Sequence, residues 1–302
     1  MIKIERFSKA YGDVRAVDGL TLAVEKGRIT ALLGPNGSGK STTLKAAVGL
    51  VKPSSGRIVV DGFDVVTERQ AALSRISFLP QRIRFPESLS GREVLRFYAR
   101  LRGLPGDSAA AAAATTGLDG ALDRPVGEYS GGMLQRLGLA VLSLPNAPVL
   151  LLDEPTAGLD PAGSRAFRDW LQTQRDEGKT VLLTTHRLED AEDLADQVAI
   201  LVRGKLVADM TPAEVRRREA VEVWLRIINW NVRYQQLAQA LGAETLCADP
   251  GGDYVFAAPA ARAVEIMNVL RDEGAEILRF TSRSSLETFY HHITNEERYE
   301  SS

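Results

Sequence analysis

The chain has 302 residues, of which 44% are hydrophobic and 25% charged, with a formal net charge of −2. That length suits two domains of ordinary globular composition, and the near-neutral balance excludes the global basic field of a nucleic-acid binder. Three histidines and the single Cys247 leave no metal cluster and no disulfide framework.

The start, "MIKIERFSKAYG", lacks the apolar stretch of a signal peptide. No later run approaches the ~20 apolar residues of a spanning helix. The expectation is a cytoplasmic protein with no direct membrane insertion, reaching a membrane only through a partner. Tyr11, before Gly12, is an exposed-type aromatic suited to stack on adenine; simple packing is the competing reading. "RITALLG" (Arg28–Gly34) reads as a buried strand feeding the glycine loop "GPNGSGKST", with "STTLKAAVGL" as the helix after it.

The loop fits G-x-x-x-x-G-K-[ST] in the strand-then-helix context that gives the pattern meaning. Gly34, Pro35, Asn36, Gly37, Ser38, Gly39, Lys40, Ser41 and Thr42 are therefore expected to wrap nucleotide phosphates. Gly37 and Gly39 let the backbone turn around them, Lys40 brings charge to the β/γ-phosphates, and Ser41 can ligate Mg²⁺. A glycine-rich turn with a solvated lysine is disfavoured by the strand and helix on either side.

"RIVVDG" (Arg57–Gly62) and "ISFLP" (Ile76–Pro80) are further strands, the latter leading to Gln81. A neutral amide there could ligate Mg²⁺ and orient an attacking water, or be an ordinary surface glutamine. From Gly91 to Leu144 the pattern turns helical throughout, as a helical insertion on the sheet domain, and "AAAAAA" (Ala109–Ala114) reads as a plain exposed helix. Arg82, Arg84, Arg92, Arg96, Arg100 and Arg102 read as a solvated helix face or a docking surface. Inside this region "EYSGGMLQR" sets a serine and a glycine pair, Ser130, Gly131 and Gly132, ahead of an apolar-periodic run. Exposed N–H groups at a helix start plus one hydroxyl make a second phosphate cradle. A single nucleotide has no need of two.

"VLLLDEP" buries a strand on both faces and delivers Asp153 and Glu154 at its carboxyl end, where open α/β sheets place ligands. Asp153 suits Mg²⁺ through its water shell, and Glu154 can act as general base on a water. "TVLLTTH" ends on His186, an imidazole able to hydrogen-bond a γ-phosphate oxygen. After a charged linker (211–219) come strand, helix, two strands around "DPGGD", helix and strand. That βαββαβ order predicts a small ferredoxin-like α+β domain over 220–302.

Over residues 1 to about 210 these motifs, in this order, resemble the nucleotide-binding subunit of ABC transporters. The resemblance implies a P-loop NTPase cassette of the α/β class, with a RecA-like core, an antiparallel β subdomain and a helical subdomain at about 82–144. It implies that Tyr11 stacks on adenine, Gly34–Thr42 form Walker A, and Gln81 is the Q-loop glutamine and a Mg²⁺ ligand with Ser41 and Asp153. Ser130-Gly131-Gly132 become the signature, Asp153 and Glu154 the Walker B pair, Ala157–Asp160 the D-loop, and His186 the switch histidine. Tyr129 stands where the signature usually has leucine, a departure expected to be tolerated. The second cradle then has an explanation: two copies pack head-to-tail, and the signature of one closes on ATP held by the other. The implied cofactors are ATP and Mg²⁺. The implied partners are a second copy of the chain and an integral membrane permease, which would hold the ATPase at the inner face of the cell membrane. The tail, ending in "SLETFY" (Ser285–Tyr290), resembles ATPases of ABC-2-type export systems, and "LSGREVLRFYARLRG" resembles those that support copper-site maturation of nitrous-oxide reductase. An importer ATPase with a regulatory tail, a non-catalytic clamp and a soluble non-transport ABC ATPase are the alternatives.

Overall fold

Short runs of leucine and β-branched residues, bounded by glycine and charge, build the sheets of this protein. In the computed structural model the described residues are 1–105, 107–114, 117–118, 120–214, 221–227, 231–248, 254–258, 260–282 and 290. The chain divides into two units, Met1–Met210 and Thr211–Ser302.

In the first unit β1 (Ile2–Tyr11), β2 (Val14–Val24), β4 (Ser55–Val60) and β5 (Phe63–Asp64) form an antiparallel sheet in the order β2-β1-β4-β5. The larger sheet contains β3 (Ile29–Leu33), β6 (Ile76–Leu79), β7 (Val149–Asp153), β8 (Thr180–Thr185), β9 (Gln197–Val202) and β10 (Lys205–Met210). Its order is β10-β9-β3-β8-β7-β6, parallel except for the β9–β10 hairpin. Every residue of β3, β7 and β8 is buried, as befits parallel strands covered on both faces. Ile2, Phe7 and Val17 of the antiparallel sheet share one core with Leu32, Leu44, Leu151 and Leu201.

Alternation alone does not single out β1, β2, β9 or β10. In β1, Arg6 takes φ 46° and the register slips between Ile4 and Phe7, so a bulge breaks the two-residue period. In β9 the short apolar run carries no period that separates strand from buried helix.

Helices α1 (Lys40–Ala47) and α2 (Arg69–Ser74) belong to the sheet region; α3 (Gly91–Leu101), α4 (Ser108–Ala114) and α5 (Gly131–Ser143) form the insertion. Between α4 and α5 the described residues are not helical apart from a tight turn at Val126–Glu128. The helical pattern is thus interrupted; Pro125, which has no N–H to give, starts that turn. α4 is not the plain exposed helix expected: Ala109, Ala112 and Ala113 are buried with Val94, Leu95 and Leu137 in a second core. Alanine gives no polarity contrast between faces, so its buried side is invisible in the pattern. α6 (Pro161–Asp176) and α7 (Leu188–Leu194) complete the unit.

In the second unit β11 (Val221–Ile227), α8 (Val232–Ala240), β12 (Glu244–Ala248), β13 (Tyr254–Ala258), α9 (Ala260–Asp272) and β14 (Ile277–Ser282) follow in order. The sheet runs β12-β13-β11-β14 with every pair antiparallel, which is the ferredoxin-like arrangement. Tyr234 and Ala238 of α8 pack with Ala263, Ile266 and Leu270 of α9. Residues 215–219 of the linker, the whole "DPGGD" turn and Ser285–Phe289 lie outside the described residues.

Candidate active site

Because β3, β6, β7 and β8 run parallel, their carboxyl ends share one sheet edge. Leu33 lies opposite Thr185, Asp153 opposite Thr184, and Leu79 opposite Leu152. The segments leaving that edge carry Gly34–Thr42, Gln81, Glu154 and His186.

The glycine loop is shaped by close backbone approach. A Cβ on Gly34 would stand 2.2 Å from Leu201 O and 2.6 Å from Ser38 Oγ. Gly39, with φ +104°, would put one 2.5 Å from Ala16 O. Lys40 is buried, and its Nζ donates to Gly34 O at 2.7 Å and Pro35 O at 3.0 Å. Burial lowers its pKa from the usual lysine value, opposed by the negative charges of Glu154 and Asp153. The Ser38 hydroxyl is buried and finds no hydrogen-bond partner among the described residues, which suits it to an oxyanion. The cleft has a volume of about 430 Å³ and is lined by Gly37, Lys40, Ser41, Thr42, Gln81 and Glu154 among others. A larger cavity of about 700 Å³, against Trp170 and Lys179, holds none of these groups.

Ser41 Oγ donates to Asp153 Oδ1 at 3.0 Å, and Thr184 Oγ1 donates to the same oxygen at 2.6 Å. Hydroxyl and carboxylate oxygens so placed, with the Gln81 amide oxygen, are the hard donors that Mg²⁺ takes. Glu154 is 8% exposed and has φ 49°, a conformation that persists in a non-glycine residue only when its surroundings fix it. Its N–H donates to Thr184 Oγ1 at 3.0 Å and to Thr184 O at 3.2 Å. Gln81 Nε2 donates to Glu154 Oε2 at 2.9 Å, and His186 Nδ1 lies 3.3 Å from Oε1. The three residues expected to be catalytic therefore meet at one carboxylate. With the lysine and phosphate loop beside it, this arrangement can take a proton from a water aimed at a bound phosphoryl group.

Ser130, Gly131, Gly132, Asp160 and Tyr11 do not line this cleft. Ser130 caps α5, its Oγ accepting from Met133 N at 3.3 Å, and a Cβ on Gly131 or Gly132 would meet nothing within 4 Å. Asp160 caps α6 by accepting from Gly163 N at 2.8 Å. Tyr11 is half exposed at the end of β1, with Lys9 Nζ 5.0 Å from its ring centre. Of the arginine series, Arg92 makes a two-point ion pair with Asp123, at 2.7 and 3.1 Å.

Several site residues escape sequence reasoning. Thr184 holds both Asp153 and Glu154, and only its register opposite Asp153 gives it that role. Asp190, fully buried, accepts from Thr156 Oγ1 at 2.5 Å and Thr185 Oγ1 at 3.4 Å. It thereby ties the segment after Glu154 to the one before His186.

A family profile described as ABC transporter matches residues 17–157. Daunorubicin resistance ATP-binding protein DrrA3 of Streptomyces coeruleorubidus is 39% identical over 237 residues, covering 74% of this chain and 73% of the relative. Nod factor export ATP-binding protein I of Burkholderia orbicola (strain AU 1054) is 38% identical over 215 residues, or 70% of this chain and 71% of the relative. Among solved structures, an ATP-binding subunit of an ABC transporter superposes with a TM-score of 0.67 at 29% identity, covering 72% of this chain and 92% of that one. A dimeric ATP-binding cassette, MJ0796, bound to ADP and Pi has a TM-score of 0.65 over 70% of this chain and 99% of that one; at 23% identity it speaks for the fold alone.

Proposed function

The chain belongs to the ABC transporter family as an ATP-hydrolysing cassette, and from that premise we propose that it powers export through a separate integral membrane permease. The observation that carries the reading is the separation of the two cradles. The phosphate-loop cleft is lined by Lys40, Ser41, Gln81 and Glu154 and by none of Ser130–Gly132, whose surroundings are open. Two copies set head-to-tail give each nucleotide one cradle from each chain.

Lys40 leaves the Gly34 and Pro35 carbonyls for the β/γ-phosphates. Ser41, Asp153 and Gln81 hold Mg²⁺, which supplies neutralisation of the phosphoryl oxygens. Glu154 accepts the proton of the attacking water, Gln81 and His186 orient that carboxylate, and Tyr11 stacks on adenine. Ser130 and the N–H groups of Gly131 and Gly132 bind the γ-phosphate of the other copy. Hydrolysis removes their acceptor, and with it the free energy that favours the closed dimer.

Export rather than import is favoured by the names of the relatives, which speak of daunorubicin resistance and Nod factor export. The copper-maturation reading rests on Leu89–Gly103 and has no second support. Among the described residues no helix is long and apolar enough to cross a membrane; in this reading the permease provides the path, and the ATPase works from the cytoplasmic face. Size-exclusion chromatography of Glu154→Gln with MgATP tests the shared site. A dimer that dissolves when ATP is removed is expected, and a monomer under saturating MgATP overturns the reading.

A further inference from the structure

We propose that Tyr129 is a positioning residue that locks the approach to Ser130 onto the start of α3, so that α3 and the signature serine move as one body. The proposal rests on the shared-site reading above for its functional consequence and on the following contacts for its geometry. Tyr129 directly precedes Ser130 and is buried in the core of the helical insertion. Its hydroxyl donates to Ala121 O at 2.7 Å. Gly91 is the first residue of α3, and a Cβ there would stand 2.3 Å from Tyr129 Oη and 3.2 Å from Cζ. The ring and the glycine are thus complementary: the hydroxyl occupies the volume that any other residue at 91 would fill.

Around this contact the two segments are laced together. Val126 N donates to Leu89 O at 2.8 Å, Gly127 N to Glu87 O at 3.0 Å, and Arg92 N to Leu122 O at 2.9 Å. Arg92 and Asp123 add the ion pair described above, and the Ser90–Glu93 capping box fixes where α3 begins. Bonds of this density make a unit that shifts as a whole or not at all. A leucine at 129 would fill the core but could not donate to Ala121. The tyrosine therefore adds a directional tie to Ala121, next to the Leu122 whose carbonyl accepts from Arg92 N at the start of α3, and a push received along α3 is delivered at Ser130.

The test uses the full chain carrying Glu154→Gln, in which ATP-driven dimerisation is read directly. Adding Tyr129→Phe should leave ATP affinity of the monomer within about twofold, yet weaken dimerisation by about three- to tenfold, the worth of one net hydrogen bond. Gly91→Ala should weaken it further, because its Cβ displaces the ring. Combining Gly91→Ala with Tyr129→Phe should recover part of that loss, since the oxygen it strikes is gone. Amide exchange at Arg92, Val126 and Gly127 in Tyr129→Phe should rise together, a readout that needs neither dimer nor a folded Gly91→Ala protein. A monomeric Glu154→Gln parent would sink the shared-site reading, leaving the lock to be judged by the exchange data. Unchanged exchange overturns the lock. Dimerisation of Tyr129→Phe equal to its dimeric parent, or multiplying defects in the double variant, overturns its role at the signature.

Discussion

Gln81 Nε2 donates to Glu154 Oε2 across 2.9 Å, joining residues 73 positions apart. With His186 Nδ1 at 3.3 Å from the other oxygen, the carboxylate is oriented from two sides. Gln81→Ala should therefore leave ATP affinity within about twofold while lowering turnover ~10–100-fold, as misplacement of a reacting group does. Equilibrium binding and steady-state hydrolysis separate the two; an equal loss in both would make Gln81 a binding residue only.

Lys40 sits buried on two carbonyls, its ammonium lowered in pKa by desolvation and sustained by Glu154 and Asp153. Lys40→Ala deletes the side chain that brings charge to the β/γ-phosphates, so ATP binding should fall by more than about tenfold, or 1.4 kcal/mol. Fluorescent-nucleotide titration checks this, and an affinity within twofold of the parent would show the loop assignment to be wrong.

A Cβ on Gly132 would have no neighbour within 4 Å, and a carboxylate at the first turn of α5 suits the helix dipole. Gly132→Asp should fold, bind ATP as a monomer with little change, and still lose hydrolysis, because its charge repels the γ-phosphate of the other copy. Mixing it with Lys40→Ala should rebuild one intact composite site, visible as trapped mixed dimers holding one nucleotide. Tenfold weaker monomer binding in well-folded Gly132→Asp would place both cradles on one chain.

The units Met1–Met210 and Thr211–Ser302 each have their own core. A chain ending at residue 214 should keep ATP affinity and lose dimer stability or partner assembly instead. Calorimetric ATP binding on the folded truncation is the check; its loss would put the second unit inside the active site.

Chemistry-bearing motifs are legible in this sequence because each is local. The strand-loop-helix around Lys40, the run ending at Asp153 and Glu154, and the strand ending at His186 fix their own conformations over a few residues. The same locality makes the ferredoxin-like order of the second unit readable. Resemblance to a family added the role of the second cradle, which no spacing within the chain supplies. Register and packing lie beyond the reach of pattern. Thr184 becomes the support of Asp153 and Glu154 only because β8 pairs with β7 in that register. Asp190 meets Thr156 only when α7 folds back under the strand ends, and the bulge at Arg6 hides β1 from its own alternation. Gly91 and Tyr129 lie far apart in the chain, and neither announces the other; their fit is a matter of excluded volume, which exists only once the chain has closed on itself.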